Sequence, residues 1–249
     1  MTMTQQAMDF HEKMFPGYVS DFLRTDPEFI ERFDNFAFDE VIQQVNLDDK
    51  TRMIAILSAL LGQQGIDEFR AMVPAAMNLG VTPIEIKEVV YQSVAYHGIG
   101  RVFPFLKAVN EIFEAQGIPL PLEGQATTTS GNRLEKGEEV QVAIIGEQMK
   151  EYATSGPKES QHINKWLVDN CFGDYYTRTG LDHKQREMIT FCFLAAQGGC
   201  ESQLTSHAGI NMGIGNDKQY LIDIISQILP FIGYPRSLIA LNCVNTASK

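Results

Sequence analysis

Two stretches of the sequence decide the fold: LDDKTRMIAILSALL at residues 47–61 and LDHKQREMITFCFLA at residues 181–195. Each begins with Leu-Asp, carries an arginine at its sixth position and continues as an apolar run. An aspartate in front of such a run is a preferred helix N-cap. Apolar residues nearly all round the helical period indicate a helix buried on every side. The two stretches therefore predict two buried, equivalent helices.

The repeat extends on both sides of these stretches, which lie 134 positions apart. The other matches keep an offset of 135 and preserve their order: Asp34-Asn35 with Asp169-Asn170, Gly80 with Gly215, Gln92 with Gln227, Gly98 with Gly233, and Arg101 with Arg236. One-residue slips of this kind belong in loops. The ordered matches predict an internal duplication.

The joint between the copies is a polar stretch, QATTTSGN at residues 125–132, after Pro-rich residues 117–121. This composition is too poor in apolar residues to pack, and a helix pattern resumes near Gly137. We therefore predict a first copy at 1–118, a linker at 119–136 and a second copy at 137–249.

Helix signals recur in both copies, whereas the alternating runs typical of strands are absent. The segment Thr82-Pro83-Ile84-Glu85 combines a cap hydroxyl, a proline at the first helical position and a glutamate that reaches back. Asp182 and Gln185 form a similar capping box. The predicted fold class is all-α, with two tandem helical bundles.

Composition excludes several functions. The chain has 249 residues and a formal charge of −11, which argues against binding to nucleic acid or to an anionic membrane surface. No apolar run is long enough to span a membrane, and the N-terminus does not resemble a secretory signal. The four cysteines show no paired spacing, and no histidine spacing favours a metal. We expect a cytoplasmic protein.

One segment of the second copy concentrates groups that can do chemistry. If Glu201 begins a helix after the Gly198-Gly199 pair, Gln203 and His207 share a face of it. Imidazole suits proton transfer near neutral pH. Cys200 would lie at the positive end of that helix, where a thiolate is favoured. Glu187, on the buried helix, is a candidate to hold the imidazole of His207.

The sequence resembles the carboxymuconolactone decarboxylase family. The resemblance lies in REMIT at 186–190, QLTSH at 203–207 and GYPR at 233–236, with the same frame in LDDKTR at 47–52, DEFR at 67–70 and NLGVTPIEI at 78–86. The combination is more specific than any one of these pieces, and it covers both copies apart from the joint.

This resemblance implies an all-helical, oligomeric protein that uses no cofactor. The family includes enzymes that decarboxylate a small lactone acid, and the resemblance puts Glu187, Gln203 and His207 at active-site positions. A sister branch, the alkylhydroperoxidase-D-like proteins, reduces peroxides with Glu, a Cys-x-x-Cys pair and His. Gln203 stands where the second cysteine of that branch would fall, so Cys200 lacks a local resolving partner.

The first copy departs further from the family pattern. Met72 occupies the histidine position and Glu68 replaces Gln203, so this copy has lost its proton-transfer group. We expect it to act as a scaffold or as one wall of a site, with Glu68 or Arg52 near the second copy's residues. Arg52 and Arg186 are candidates to bind a substrate carboxylate, although a structural ion pair explains them equally well.

Three functions remain open. The first is a small-molecule enzyme that decarboxylates or isomerises a lactone or keto acid, with His207 moving a proton and Glu187 and Gln203 orienting it. The second is a thiol-dependent peroxidase or reductase using Cys200. The third is a non-enzymatic helical assembly protein, in which Glu187 turns away from His207. We expect a homo-oligomer, and three two-copy chains would mimic the six-copy ring that the resemblance suggests.

Overall fold

The computed structural model describes residues 2–249, and every regular element in that range is helical. The first copy contains α1 (Gln5–Met14), α2 (Phe22–Thr25), α3 (Pro27–Asn35), α4 (Val41–Gln44), α5 (Asp49–Gln63), α6 (Ile66–Asn78), α7 (Pro83–His97) and α8 (Ile99–Ala115). The second contains α9 (Arg133–Ile145), α10 (Gln161–Trp166), α11 (His183–Gln197), α12 (Glu201–Gly213), α13 (Lys218–Ile232) and α14 (Tyr234–Ala247). The all-α prediction is confirmed.

A segment of π-helix precedes the buried helix in each copy, at Phe36–Glu40 and at Leu167–Tyr176. Two short 3₁₀ turns, Glu147–Met149 and Tyr152–Thr154, occur only in the second copy among the described residues. The π-segments contribute side chains to the regions where the two copies could hold a ligand, and no pattern in the sequence predicted them.

The predicted helix starts are present. The Asp48 carboxylate caps α5 by accepting from the backbone N–H of Thr51. Thr82 and Glu85 form the reciprocal capping box at the start of α7. Asp182 and Gln185 do the same for α11. Each box satisfies backbone donors that the first turn leaves unpaired, which fixes where these helices begin.

Helices α5 and α11 pack against each other at the centre of the molecule, so that one hydrophobic core continues through both copies. Their approach is close at Gly62, where a Cβ atom would lie 2.7 Å from Cβ of Ala196 and 2.8 Å from the carbonyl oxygen of Phe193. Glycine is required there because any side chain would push the two helices apart.

Reciprocal polar contacts cross this interface. Gln92 of the first copy donates from Nε2 to the carbonyl oxygen of Arg186 at 2.9 Å and accepts from Nη1 of Arg186 at 3.1 Å. In the other direction, Arg52 of the first copy donates to Oε1 of Gln227 in the second. Since Arg52 matches Arg186 and Gln92 matches Gln227 in the repeat, the copies are related by an approximate twofold axis.

Helix α9 begins at Arg133, earlier than the sequence suggested, and Gly137 lies inside it. The reason is a close approach: a Cβ atom on Gly137 would lie 2.1 Å from the carbonyl oxygen of Val168 in the π-segment. The glycine therefore marks a helix crossing rather than a helix start. The stretch before it also packs, since Oγ1 of Thr128 donates to the carbonyl oxygen of Gly173 at 2.8 Å.

Apolar side chains are exposed at equivalent positions of α8 and α14. Ile99 matches Tyr234 and Phe103 matches Leu238, and all four are exposed.

Among residues 2–249, no helix is both long and apolar enough to cross a membrane.

Candidate active site

A buried carboxylate and a histidine meet between α11 and α12. The Nδ1 atom of His207 lies 2.7 Å from Oε2 of Glu187. The Glu187 side chain is fully buried, whereas 16 % of the His207 side chain is exposed. The turn between the two helices passes through Gly198 and Gly199, both with positive φ, which folds α12 back onto α11. The structure thus brings together two residues that the sequence predicted for the site.

The pair fixes the chemistry of the imidazole. When Glu187 is ionised its carboxylate only accepts hydrogen bonds, so Nδ1 of His207 is then the donor and Nε2 is left to exchange a proton. In the described part of the chain, Nε2 has no hydrogen-bond partner from the protein. A partly exposed Nε2 backed by a buried carboxylate is the arrangement of a general acid or base.

Asn211 braces the two helices that carry the pair. Its Nδ2 donates to the carbonyl oxygen of Glu187 at 3.0 Å and to that of His207 at 2.8 Å. Its own Oδ1 accepts from Nδ2 of Asn216 at 2.9 Å. Because Asn211 is fully buried, these bonds hold the backbones of both helices in register. The remaining carboxylate oxygen, Oε1 of Glu187, is buried without a partner.

Hydroxyl groups from both copies line the same region. The Tyr96 ring, from the first copy, lies 6.2 Å from the His207 ring in an edge-on arrangement. The Tyr96 hydroxyl bonds to that of Tyr176 at 2.7 Å, and Tyr176 bonds to Oγ1 of Thr190 at 2.7 Å. Gln92 extends the chain by donating to the same Thr190 oxygen at 3.0 Å. A polar track therefore runs from the interface between the copies to the site.

Burial keeps the hydroxyl groups of this hydrogen-bonded chain protonated. It raises the pKa of the Tyr96 and Tyr176 hydroxyls well above their ordinary range, and for Tyr176 the charge of Glu187 adds to the effect. Burial also raises the pKa of the nearby Cys171 thiol to about 12. All three groups are neutral at pH 7, so the site holds hydroxyl donors and no thiolate from Cys171.

Both arginines predicted as substrate ligands are buried in structural contacts. Arg186 is fully buried and donates from Nη2 to Oε2 of Glu88 at 3.0 Å and to the carbonyl oxygens of Arg178 and Thr179. Arg52 is 3 % exposed and bonds to Gln227 and to the carbonyl oxygen of Leu47. Neither guanidinium bonds to the His207–Glu187 pair, so the ion-pair alternative describes Arg186 better than carboxylate binding.

The other candidates lie outside the pair. Gln203 is exposed on α12, and its Oε1 accepts from Oγ of Ser202 at 2.8 Å. Cys200 precedes α12, but burial and the charge of Glu201 raise the pKa of its thiol. The helix end was expected to favour the thiolate, and the direction is the opposite one. Glu68 lines a cavity of the first copy instead of approaching His207.

Three residues of the site were missed from the sequence. Tyr96 belongs to the first copy, and it enters the second copy's site only through the approximate twofold. Tyr176 lies in a π-segment, for which no sequence signal exists. Asn211 follows His207 by one helical turn, and this spacing on a shared helix face was the one available signal.

The fold and the pair define a helical two-copy protein with a carboxylate–histidine site at the junction of its copies. The model of the carboxymuconolactone decarboxylase family matches residues 27–111 and 161–246. The chain belongs to that family, and its two copies are both members.

The chain is also similar to two individual proteins. Over 100 residues it is 31 % identical to a 4-carboxymuconolactone decarboxylase of Acinetobacter baylyi, a match that spans 40 % of this chain and 72 % of the relative. Its fold is similar to the crystal structure of a Burkholderia xenovorans LB400 protein provisionally described as a gamma-carboxymuconolactone decarboxylase subunit. That match has a TM-score of 0.58, 19 % identity, and covers 98 % of this chain and 97 % of the other.

Proposed function

We propose that the protein is a cofactor-free lyase or isomerase that acts on a small lactone or keto acid at the His207 site. The observation that carries the proposal is the 2.7 Å bond between Nδ1 of His207 and the fully buried Glu187 carboxylate. A buried carboxylate holds the imidazole in one orientation, and this is what proton transfer at Nε2 requires.

In the proposed decarboxylation, the bond between the substrate's carboxylate and the carbon that bears it breaks, carbon dioxide leaves, and the electron pair delocalises into the carbonyl conjugated with that carbon as an enolate. His207, protonated on both nitrogens, gives the Nε2 proton to a carbon of the enolate and recovers one from solvent. Glu187 stabilises the imidazolium before the transfer and fixes its orientation. The neutral Tyr96 hydroxyl, on a ring whose centroid lies 6.2 Å from that of His207, is our candidate donor for the developing oxyanion.

The alternatives have less support. A non-enzymatic assembly protein was expected to turn Glu187 away from His207, whereas the two are in contact. A thiol peroxidase needs a thiolate at Cys200, and the raised pKa of that thiol opposes it.

The test uses 4-carboxymuconolactone, the substrate that the Acinetobacter relative's name specifies, in D₂O. Carbon dioxide release and deuterium incorporation into a carbon of the lactone product are followed by NMR. We expect His207→Gln to lower kcat by about 100-fold or more, because general acid–base catalysis contributes about 10²–10⁴-fold. Glu187→Gln should lower kcat while KM changes little, since Glu187 acts through His207.

His162→Gln is the matched control, because His162 is exposed on α10 and packs against Trp166. It should retain the activity of the parent protein. Unchanged deuterium incorporation in His207→Gln would eliminate His207 as the proton donor. A parent protein that releases no carbon dioxide from this lactone, while a second lactone or keto acid is turned over in a His207-dependent manner, would replace the substrate but keep the site.

A further inference from the structure

A cavity with aromatic walls lies mainly in the first copy, away from the His207–Glu187 pair. Its volume is about 670 Å³, a size that suits a small organic ligand. Phe33 forms one wall, packed edge-on against Phe38 at 5.8 Å and against Phe231 of the second copy at 5.9 Å. Exposed Tyr18 and Phe22 lie at its open side.

This cavity is the first copy's counterpart of the His207 site. Met72, which lines it, matches His207 in the repeat, and the buried Met53 matches Glu187. Phe231 matches Tyr96, so in each half one aromatic side chain is supplied by the other copy. Methionines therefore replace both members of the proton-transfer pair, and the thioether of Met72 lines the cavity where the other copy has an imidazole. The cavity is therefore suited to binding a molecule rather than to transforming it in the same way.

The ionisable groups that face the cavity come from three helices, and Tyr18 adds a phenol at its open side. His11 of α1 places Nδ1 3.4 Å from Oδ2 of Asp34 of α3, and this contact raises the pKa of His11. Glu68 of α6 forms no ion pair in the described part of the chain. Burial and then the charge of Asp34 raise the pKa of the Glu68 carboxyl. No lysine or arginine lines the described cavity.

The cavity thus holds one carboxylate that no cation compensates. His11 and Asp34 compensate each other, and Glu68 faces aromatic rings without a cation. A ligand with a positively charged nitrogen would supply that cation, since the carboxylate would pair with it and the ring faces would attract it. A ligand carboxylate would meet two acidic side chains and only one histidine, which is already paired.

We propose that this cavity binds a small aromatic amine, with Glu68 pairing with its ammonium group and the Phe33, Phe38 and Phe231 rings enclosing its apolar part. This site is separate from the proposed reaction at His207, so either can fail without the other.

The test compares three probes of nearly equal shape: tryptamine, tryptophol and indole-3-acetate, which are cationic, neutral and anionic near pH 7. Isothermal titration calorimetry on the full chain should give tryptamine an affinity about tenfold above that of tryptophol, equivalent to about 1.4 kcal/mol. Indole-3-acetate should bind most weakly. Glu68→Gln should remove the preference for tryptamine and leave tryptophol within about twofold.

Two variants control for charge and for location. Asp67→Asn removes the neighbouring exposed carboxylate on the same helix and should change no affinity. His207→Gln should leave tryptamine binding unchanged. Ala71→Trp adds a large side chain at an exposed position that lines the cavity, and it should abolish binding of all three probes without disturbing the core.

Three results would overturn the proposal. The first is equal affinity of the three probes for the parent protein, or tightest binding of indole-3-acetate. The second is no detectable binding of any probe. The third is an equal effect of Asp67→Asn and Glu68→Gln on tryptamine affinity. That result would mean that the protein's net charge, and not contact with Glu68, causes the preference for tryptamine. If Glu68→Gln does not fold, the Ala71→Trp variant still decides whether the binding occurs in this cavity.

Discussion

Replacing Glu88 by glutamine should destabilise the fold by about 3–5 kcal/mol, the usual cost of removing one partner of a buried ion pair. The Glu88 side chain is 1 % exposed and receives Nη2 of Arg178 at 2.9 Å and Nη2 of Arg186 at 3.0 Å. Arg186 is itself fully buried. An amide can replace some of the hydrogen bonds but not the charge, so a guanidinium would be left in the core without an anion.

The effect is measured by urea unfolding at pH 7, with a calorimetric scan as a second readout. A loss of about 3–5 kcal/mol corresponds to a fall in Tm of about 10 °C for a chain of this size. The control is Asp223→Asn, because Asp223 matches Glu88 in the repeat. Its carboxylate accepts from the backbone N–H of Asn46 at 3.3 Å and from Nε2 of Gln219 at 2.8 Å.

Among the described residues, no arginine bonds to Asp223. An asparagine keeps one acceptor oxygen in place of two, so one of these hydrogen bonds is lost but no buried cation loses its anion, and the loss should be about 1 kcal/mol. Equal losses for Glu88→Gln and Asp223→Asn, or a loss under about 1 kcal/mol for Glu88→Gln, would refute the argument that Glu88 compensates the buried Arg186 and the partly buried Arg178.

Three further predictions follow from features of the fold. Burial lowers the pKa of His97 to about 4, so only the unfolded state binds a proton as the pH falls from about 6.5 to 4. The free energy of unfolding, measured by urea titration at each pH, should therefore drop by about 3 kcal/mol over that window. The variant His97→Gln should show a smaller dependence of this free energy on pH. Gly62→Ala should cost about 1–3 kcal/mol because its Cβ would clash with Ala196, whereas Gly209→Ala, with open space around its Cβ, should be neutral or stabilising in the same assay. Sedimentation should give the mass of three 27.9 kDa chains, and Leu238→Glu, on the exposed apolar face of α14, should lower that mass; a monomeric parent protein would contradict the ring assembly.

Much of the fold could be predicted because its signals are local. The caps at Asp48, Thr82 and Asp182 and the apolar runs behind them fix where the helices begin and which are buried. The pairing of His207 with Glu187 was accessible for a similar reason, since the repeat and the family frame put both residues on adjacent helices. These inferences needed no knowledge of how the copies meet.

The remaining features of the site and the cavity depend on how the two copies pack against each other. Tyr96 reaches the second copy's site because α7 packs against α11, and Phe231 reaches the first copy's cavity because α13 packs against α5. The burial of Arg52 and Arg186 has the same origin, which is why a substrate-binding role looked equally plausible from the sequence. The His11–Asp34 contact joins α1 to α3 by tertiary packing, so no residue spacing along the chain predicted it.

The exchange of aromatic side chains between the halves has a consequence for how such a protein can evolve. In a symmetric homodimer a single codon specifies both copies of a position, and every substitution alters two sites together. Here Met72 and His207 are specified by separate codons, as are Phe231 and Tyr96. Fusion of the two halves has released each site from the requirements of the other. The second copy's site could keep its histidine while the first copy's site became a cavity lined by aromatic side chains, with the shared core between them unchanged.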